Sequence, residues 1–234
     1  MGTWERKLGL IVPSWNTVME YEVQRMAGGA MSVHAMRIPH TADTEENLLW
    51  LATQAAGAAK LLAHAKVDVI CYGCTASGFL KGPEHDREVS DEIQAATGIP
   101  AAATSAAVAD ALRAVGATRV SVASPYEAWL NEKVRGYLEA SGFEVLAIQG
   151  LGTQAHAAVT PERIEALARD VDRPQAQAIF ISCSNFRTLE IIESIERTLG
   201  KPVVTSNSAS MWKMLRLMRD SRAVPGAGRL FREA

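Results

Sequence analysis

The amino-acid sequence predicts an α/β fold of two similar lobes, each a parallel sheet flanked by helices. Three observations lead there. Short β-branched runs alternate with longer Ala/Leu/Glu-rich stretches, the sequence form of successive βαβ units. The interiors Val67-Asp68-Val69-Ile70 and Ala178-Ile179-Phe180-Ile181 are nearly continuous apolar runs, as expected where helices cover both faces of a sheet. The chain also carries a weak internal repeat, in which Val67 through Thr75 can be laid on Gln177 through Ser184. The plainer alternative is that any two βα units look alike.

Taken in order, strands are expected at Leu8–Val12, Val33–Ile38, Val67–Tyr72, Ala101–Ala103, Arg119–Ala123, Glu144–Ile148, Ala178–Ser182 and Val203–Thr205. Helical patterns lie between them at Thr44–Ala65, Glu84–Thr97, Ser105–Val115, Glu127–Ser141, Pro161–Val171, Leu189–Leu199 and Ser208–Arg219. Gly98-Ile99-Pro100 and Gly200-Lys201-Pro202 are matching helix stops, with Gly past the end and Pro beyond it. After each stop come a short strand and a Ser-rich helix opening, Thr104-Ser105 in one copy and Ser206-Asn207-Ser208 in the other. Residues 1–100 plus 206–234 are expected to form the lobe carrying Cys74, and 101–205 the lobe carrying Cys183. The tail Ala223–Arg229 reads as a loose end.

Composition narrows the function. Of 234 residues, 48% are hydrophobic and 21% charged, enough apolar material for a core that needs no metal or disulfide staple. Lys and Arg number 24 against 26 Asp and Glu, with no basic block, so neither nucleic acid nor an anionic membrane surface is an expected partner. No apolar run approaches the ~20 residues of a membrane span. The expectation is a soluble cytoplasmic protein. The three cysteines are too few, and odd in number, for a secreted disulfide framework.

Cys71-Tyr72-Gly73-Cys74 matches C-x-x-C, but Cys71 lies inside the strand pattern, and Gly78, Gly82 and Pro83 interrupt the helix a redox pair would need. Three cysteines without a spaced His pair do not assemble a zinc site, and no metal is expected. Cys71 therefore reads as a small buried hydrophobe. Cys74 and Cys183 differ. Each leaves a strand for a turn of small polar residues, where free backbone N–H groups favour a thiolate. Ligands of open α/β sheets bind at such strand ends, so two facing lobes would put both sulfurs on one cleft.

Ser14-Trp15-Asn16-Thr17 follows the first strand. Its Ser, Asn and Thr can simply cap a helix, or can offer neutral donors to a carboxylate, as can Thr104-Ser105 and Ser206-Asn207-Ser208. The sequence has no G-x-G-x-x-G after the first strand, no P-loop, no H-E-x-x-H and no G-x-S-x-G. His34, His40, His64, His85 and His156 are scattered and read as surface or core residues, and the five tryptophans as packing or interface residues. A cofactor-free enzyme fits this pattern.

The chain resembles the Asp/Glu racemase superfamily, and within it the branch of maleate cis–trans isomerases and arylmalonate decarboxylases, the isomerases most closely. The resemblance runs from about Leu8 to Arg216 and rests on Gly9 through Glu20, Tyr72-Gly73-Cys74-Thr75-Ala76-Ser77, Ser124-Pro125-Tyr126, Ser182-Cys183-Ser184 and Pro202 through Asn207. It implies two pseudo-symmetric α/β lobes with the active site between the lobes, a homodimer, and neither metal nor organic cofactor. Racemases of the superfamily carry an Asp-Ser pair in the first loop, where this chain has Ser14-Trp15-Asn16-Thr17 and no acid until Glu20, and a His two residues after the second cysteine, where it has Asn185. Decarboxylases have Gly at the first cysteine position, where this chain has Cys74.

The resemblance thus implies cis–trans isomerisation of a small unsaturated dicarboxylate, maleate to fumarate. Cys74 would add covalently to the double bond and Cys183 would transfer the proton. Substrate would be held by Ser14, Asn16, Thr75, Tyr126, Ser184 and Asn207. Two alternatives stay open: a two-cysteine racemase, and a non-catalytic small-anion-binding protein. One departure from the isomerases stands out. Their Leu-Gly-x-Thr-x-Asn segment here reads Leu151-Gly152-Thr153-Gln154-Ala155-His156, without the Asn that touches substrate; His156 or Gln154 could replace it, or that wall could recognise something other than maleate.

Overall fold

The computed structural model describes residues 4–233. The chain opens with β1 (Arg6–Pro13), α1 (Met19–Ala27) and β2 (Met31–Ile38), then α2 (Glu45–Thr53), α3 (Ala55–His64) and β3 (Val69–Tyr72). It continues with α4 (Thr75–Gly78), α5 (Pro83–Thr97), β4 (Ala101–Ala103) and α6 (Thr104–Ala114). The pattern then recurs as β5 (Arg119–Ser124), α7 (Ala128–Ala140), β6 (Glu144–Gly150), a single 3-10 turn at His156–Ala158, α8 (Pro161–Val171) and β7 (Ala178–Ile181). Last come α9 (Ile192–Leu199), β8 (Val203–Thr205), α10 (Ser206–Leu217) and α11 (Leu230–Glu233).

Two four-stranded parallel sheets result, ordered β2-β1-β3-β4 and β6-β5-β7-β8. The order is the same twice, with β3 equivalent to β7 and β4 to β8, as the repeat predicts. Both central strands are wholly buried, Val69–Tyr72 and Ala178–Ile181 alike. Helices on both faces remove that apolar surface from water. Both helix stops behave as read. Gly98 (φ 71°) and Gly200 (φ 70°) adopt the left-handed conformation, and their N–H groups bond Gln94 O at 2.7 Å and Glu196 O at 2.9 Å.

Several expectations need correction. The lobe division does not fall after residue 100: Ala101–Ala103 pairs with Ile70–Tyr72 and so completes the first sheet. The chain crosses only after α6, which packs against α10 at the middle of the molecule, where Thr104 Oγ1 and Ser210 Oγ share a hydrogen bond of 2.8 Å. The single helix expected at Thr44–Ala65 is two, broken at Gln54. There Thr53 Oγ1 donates back to Trp50 O at 2.6 Å and the Gln54 N–H turns to Leu51 O at 3.1 Å, tightening the last turn. α10 starts two residues early because Thr205 and Ser208 form a reciprocal cap. The tail is not loose. Val224, Ala227 and Leu230 are buried, and the Glu196 carboxylate accepts from the Arg229 N–H at 2.9 Å.

Candidate active site

Four strands of the two sheets end at one cavity. The residues lining it leave β1 (Pro13, Trp15, Asn16), β3 (Cys74, Thr75, Ala76), β5 (Tyr126) and β7 (Cys183, Ser184, Asn185), with His40 and Asp43 following β2 and His156 following β6. The space between these side chains is narrow, a cavity of about 20 Å³ in this closed arrangement.

Cys74 is placed by its neighbour. A Cβ on Gly73 would lie 2.5 Å from Met19 Sδ and 3.0 Å from Ile11 O, so a side chain there would displace Met19 and crowd the β1 backbone where the chain passes it and turns. Cys74 then caps α4 in an extended conformation (φ −107°, ψ 100°), with the amides of Ala76 and Ser77 directed at its sulfur. Burial pushes the thiol up to about 12. Those two amides work against burial, and the nearby charge of Asp43 works with it.

Cys183 sits in the equivalent turn but at φ 108°, a conformation that L-residues rarely adopt. The strained turn is fixed by the Cys183 N–H donating to Ser206 Oγ at 3.0 Å. It brings the sulfur to the Asn185 N–H at 3.4 Å and to His156 Nδ1 at 3.6 Å. Burial raises this thiol as well, opposed by the Asn185 amide and the Tyr126 hydroxyl. The Asp43 carboxylate pushes both thiols up, and Cys74 adds to the rise at Cys183, consistent with the two sulfurs facing one space.

The remaining expected residues divide. Thr75 lines the cavity with a buried hydroxyl that has no protein partner, a donor left for a ligand. Tyr126 lines it too, and burial holds its phenol protonated. Asn16 and Ser184 line the cavity, but their polar groups are engaged. Asn16 Oδ1 caps α1 by accepting from Val18 and Met19 N–H at 3.0 and 2.9 Å, and its Nδ2 donates to Ser184 Oγ at 3.0 Å. Ser184 Oγ in turn donates to Gly73 O at 2.8 Å, joining the two cysteine turns. Asn16 thus caps the helix, as one of its two readings has it, while its side chain borders the cavity.

Two expected residues do not line the cavity. Ser14 is exposed, its Oγ accepting from the His40 N–H at 3.0 Å. Asn207 lies behind the site, its Nδ2 donating to Glu22 Oε2 at 2.7 Å and Ser184 O at 3.2 Å. Cys71 is fully buried in β3 and contacts Thr104 Oγ1 at 3.7 Å, outside the cavity lining.

The sequence reading gave no site role to His40, Asp43, Trp15 or Asn185, and named His156 only as a candidate, with Gln154, to replace the missing Asn. His40 and His156 are buried and flank Asp43, with Nε2 atoms 2.9 Å from Oδ1 and 3.4 Å from Oδ2 respectively. Trp15 meets both imidazoles edge-on, at ring-centre distances of 4.7 and 5.4 Å. Gln154 is one step removed, accepting from the Asp43 N–H at 3.2 Å. Glu22 was also missed. Buried between the halves, it accepts from Thr188 and Leu189 N–H, Thr188 Oγ1 and Asn207 Nδ2.

A model of the arylmalonate decarboxylase family matches residues 8–231. The maleate isomerase of Nocardia farcinica is 33% identical over 241 residues, covering 97% of this chain and 96% of that protein. The maleate isomerase of Pseudomonas putida S16, crystallised as an alanine variant with maleate, superposes with a TM-score of 0.94 at 28% identity, covering 98% of each chain. A cysteine-to-serine variant of the Nocardia farcinica maleate cis–trans isomerase carrying a covalently bound succinylcysteine intermediate superposes at 0.93. It is 29% identical and covers 98% of this chain and 99% of its own.

Proposed function

The chain belongs to the arylmalonate decarboxylase family, and on that footing we propose that it is a cofactor-independent isomerase converting a small cis-enedioate, maleate first among them, to the trans isomer. The observation that carries the proposal is the convergence of Cys74 and Cys183 from two sheets on one small cavity, each in a turn that aims backbone amides at the sulfur. The presence of Cys74, in a family whose decarboxylase members are expected to carry glycine there, favours isomerisation. The succinylcysteine in the Nocardia farcinica structure is the intermediate such chemistry requires.

The steps balance as follows. The Cys74 thiolate adds to one alkene carbon, forming a C–S bond, while the π electrons pass to the neighbouring carbon and take the proton from Cys183 S–H. The former double bond, now single, rotates. The Cys183 thiolate removes a proton from the same carbon, the C–S bond breaks, and Cys74 leaves as thiolate with the trans alkene formed. The Thr75 hydroxyl, the Tyr126 hydroxyl and the amides near both cysteines are the donors available to the substrate's carboxylates and the charge that develops on them. Asn16 and Ser184 act by holding the two cysteine turns together. The chain works as a homodimer in the cytoplasm in this reading.

Proton NMR of the protein with maleate in deuterium oxide tests the reading. Fumarate signals growing with protein concentration are expected. An unchanged spectrum across maleate and its substituted analogues refutes isomerisation, and deuterium incorporation at an α-carbon without isomerisation selects the racemase alternative. Light scattering that returns a monomer refutes the dimer.

A further inference from the structure

One wall of the cavity is a continuous row of four buried residues. Cys183 Sγ is 3.6 Å from His156 Nδ1, His156 Nε2 is 3.4 Å from Asp43 Oδ2, and Asp43 Oδ1 is 2.9 Å from His40 Nε2. All four line the cavity. The row crosses between the halves of the chain, Asp43 and His40 coming from the loop after β2 and His156 and Cys183 from the second sheet. Its joints are braced by Trp15 against both rings and by Gln154 accepting from the Asp43 N–H.

The chemistry above needs one proton fewer on the two sulfurs than a pair of thiols carries. Burial and the Asp43 carboxylate both oppose ionisation of Cys74 and Cys183, so the departing proton needs a nearby acceptor. Of the two imidazoles in the lining, His156 is the one in contact with a sulfur.

We propose that His156 is the proton acceptor for Cys183, held in orientation by Asp43. The S–H bond breaks with its electron pair left on sulfur, an Nδ1–H bond forms, and the Asp43 carboxylate faces the imidazolium through Nε2. The Cys183 thiolate then takes the proton of Cys74 S–H across the cavity, which leaves Cys74 as the attacking thiolate and Cys183 as the thiol that donates. His156 is a positioning residue that acts through Cys183. The titratable groups facing it are Cys183, Asp43, His40 and Tyr126, with Cys74 across the cavity. Burial lowers the basicity of His156 and Asp43 partly restores it, so the pair rests neutral and the proton moves when an electrophile draws on the sulfur. The role in turnover rests on the isomerase reading; the proton exchange itself needs no substrate.

Alkylation of the intact protein by iodoacetamide, followed at the Cys183 peptide by mass spectrometry across about pH 5 to 9, reads that exchange directly. The rate is expected to inflect in the histidine range, below the ~8.5 of an ordinary thiol. His156→Gln removes the base, moves the inflection upward and slows alkylation near neutrality by at least about tenfold, one unit's worth of shift. Asp43→Asn makes the imidazole less basic, so the inflection moves the opposite way, to lower pH, with a slower plateau. A folded variant of either kind with the original inflection overturns the proposal. So does an unsubstituted protein whose Cys183 reacts only above the ordinary thiol range or not at all. If maleate is inert while the Cys183 profile behaves as described, the substrate reading fails and the proton partnership stands.

Discussion

Removing the Glu22 carboxylate by Glu22→Ala tests how the Cys183 turn is held. Glu22 is 2% exposed and accepts four hydrogen bonds: from the Leu189 N–H at 2.8 Å, the Thr188 N–H at 2.5 Å, Thr188 Oγ1 at 3.1 Å and Asn207 Nδ2 at 2.7 Å. Truncation strands two backbone donors and one amide donor in the interior, at about 1–3 kcal/mol each before any water enters the space left behind. Burial raises the Glu22 pKa, so part of the hydrogen-bond gain already offsets desolvation. A net loss of roughly 3–5 kcal/mol is expected, which for a chain of this length lowers the melting temperature by on the order of 10 °C. Glu22→Gln should cost less. Its carbonyl can serve Thr188 and Leu189, and Asn207, whose Oδ1 has no partner, can turn to meet the new amide. Thermal unfolding followed by circular dichroism gives the shift, and maleate turnover at a temperature where both proteins are folded gives the effect on the site. A Glu22→Ala protein melting within about 2 °C of the parent would refute the bracing role.

Three further outcomes follow. Cys71→Ala should cost about 1 kcal/mol in unfolding free energy through lost packing and leave turnover unchanged; a folded variant with turnover down tenfold contradicts the packing role. Burial lifts the Asp86 carboxyl to about 6, so it favours the folded state most below the unfolded carboxylate pKa and loses that contribution as pH rises through 6, roughly 3 kcal/mol in all. Asp86→Asn, which keeps an acceptor for the Tyr137 hydroxyl, should flatten denaturant-derived stability between about pH 4 and 6; an undiminished slope contradicts the assignment. Gly73→Ala forces a Cβ against Met19 and Ile11 and should lower both stability and turnover by displacing Cys74; a variant with parental melting and rate shows that the turn has room.

How much of this was legible in the sequence follows from the range of each signal. The strand interiors and the Gly98 and Gly200 stops are local, and they were read correctly. The repeat showed that Cys74 and Cys183 occupy equivalent strand ends, and their shared cavity follows from the repeated strand order. The Thr53 back-bond that breaks α2 from α3 has no periodicity to betray it. Ser14 and Asn207 were chosen for their chemical type at strand ends. Whether such a side chain turns into a cavity or toward a backbone depends on partners such as His40 and Glu22, distant in sequence. His156 left a trace, standing where the resemblance expected an Asn. Nothing local linked it to His40 and Asp43, because the three meet only when the loops after β2 and β6 converge across the halves.

The most direct measurement is the location of the covalent adduct. Cys183→Ser protein incubated with maleate, quenched and mapped by peptide mass spectrometry should carry the mass of one succinyl group on the Cys74 peptide and none on the Cys71 residue beside it. An adduct confined to another residue, or none in a folded variant whose parent isomerises maleate, would mean that Cys74 is not the nucleophile and that the two sulfurs do not divide the work in this way.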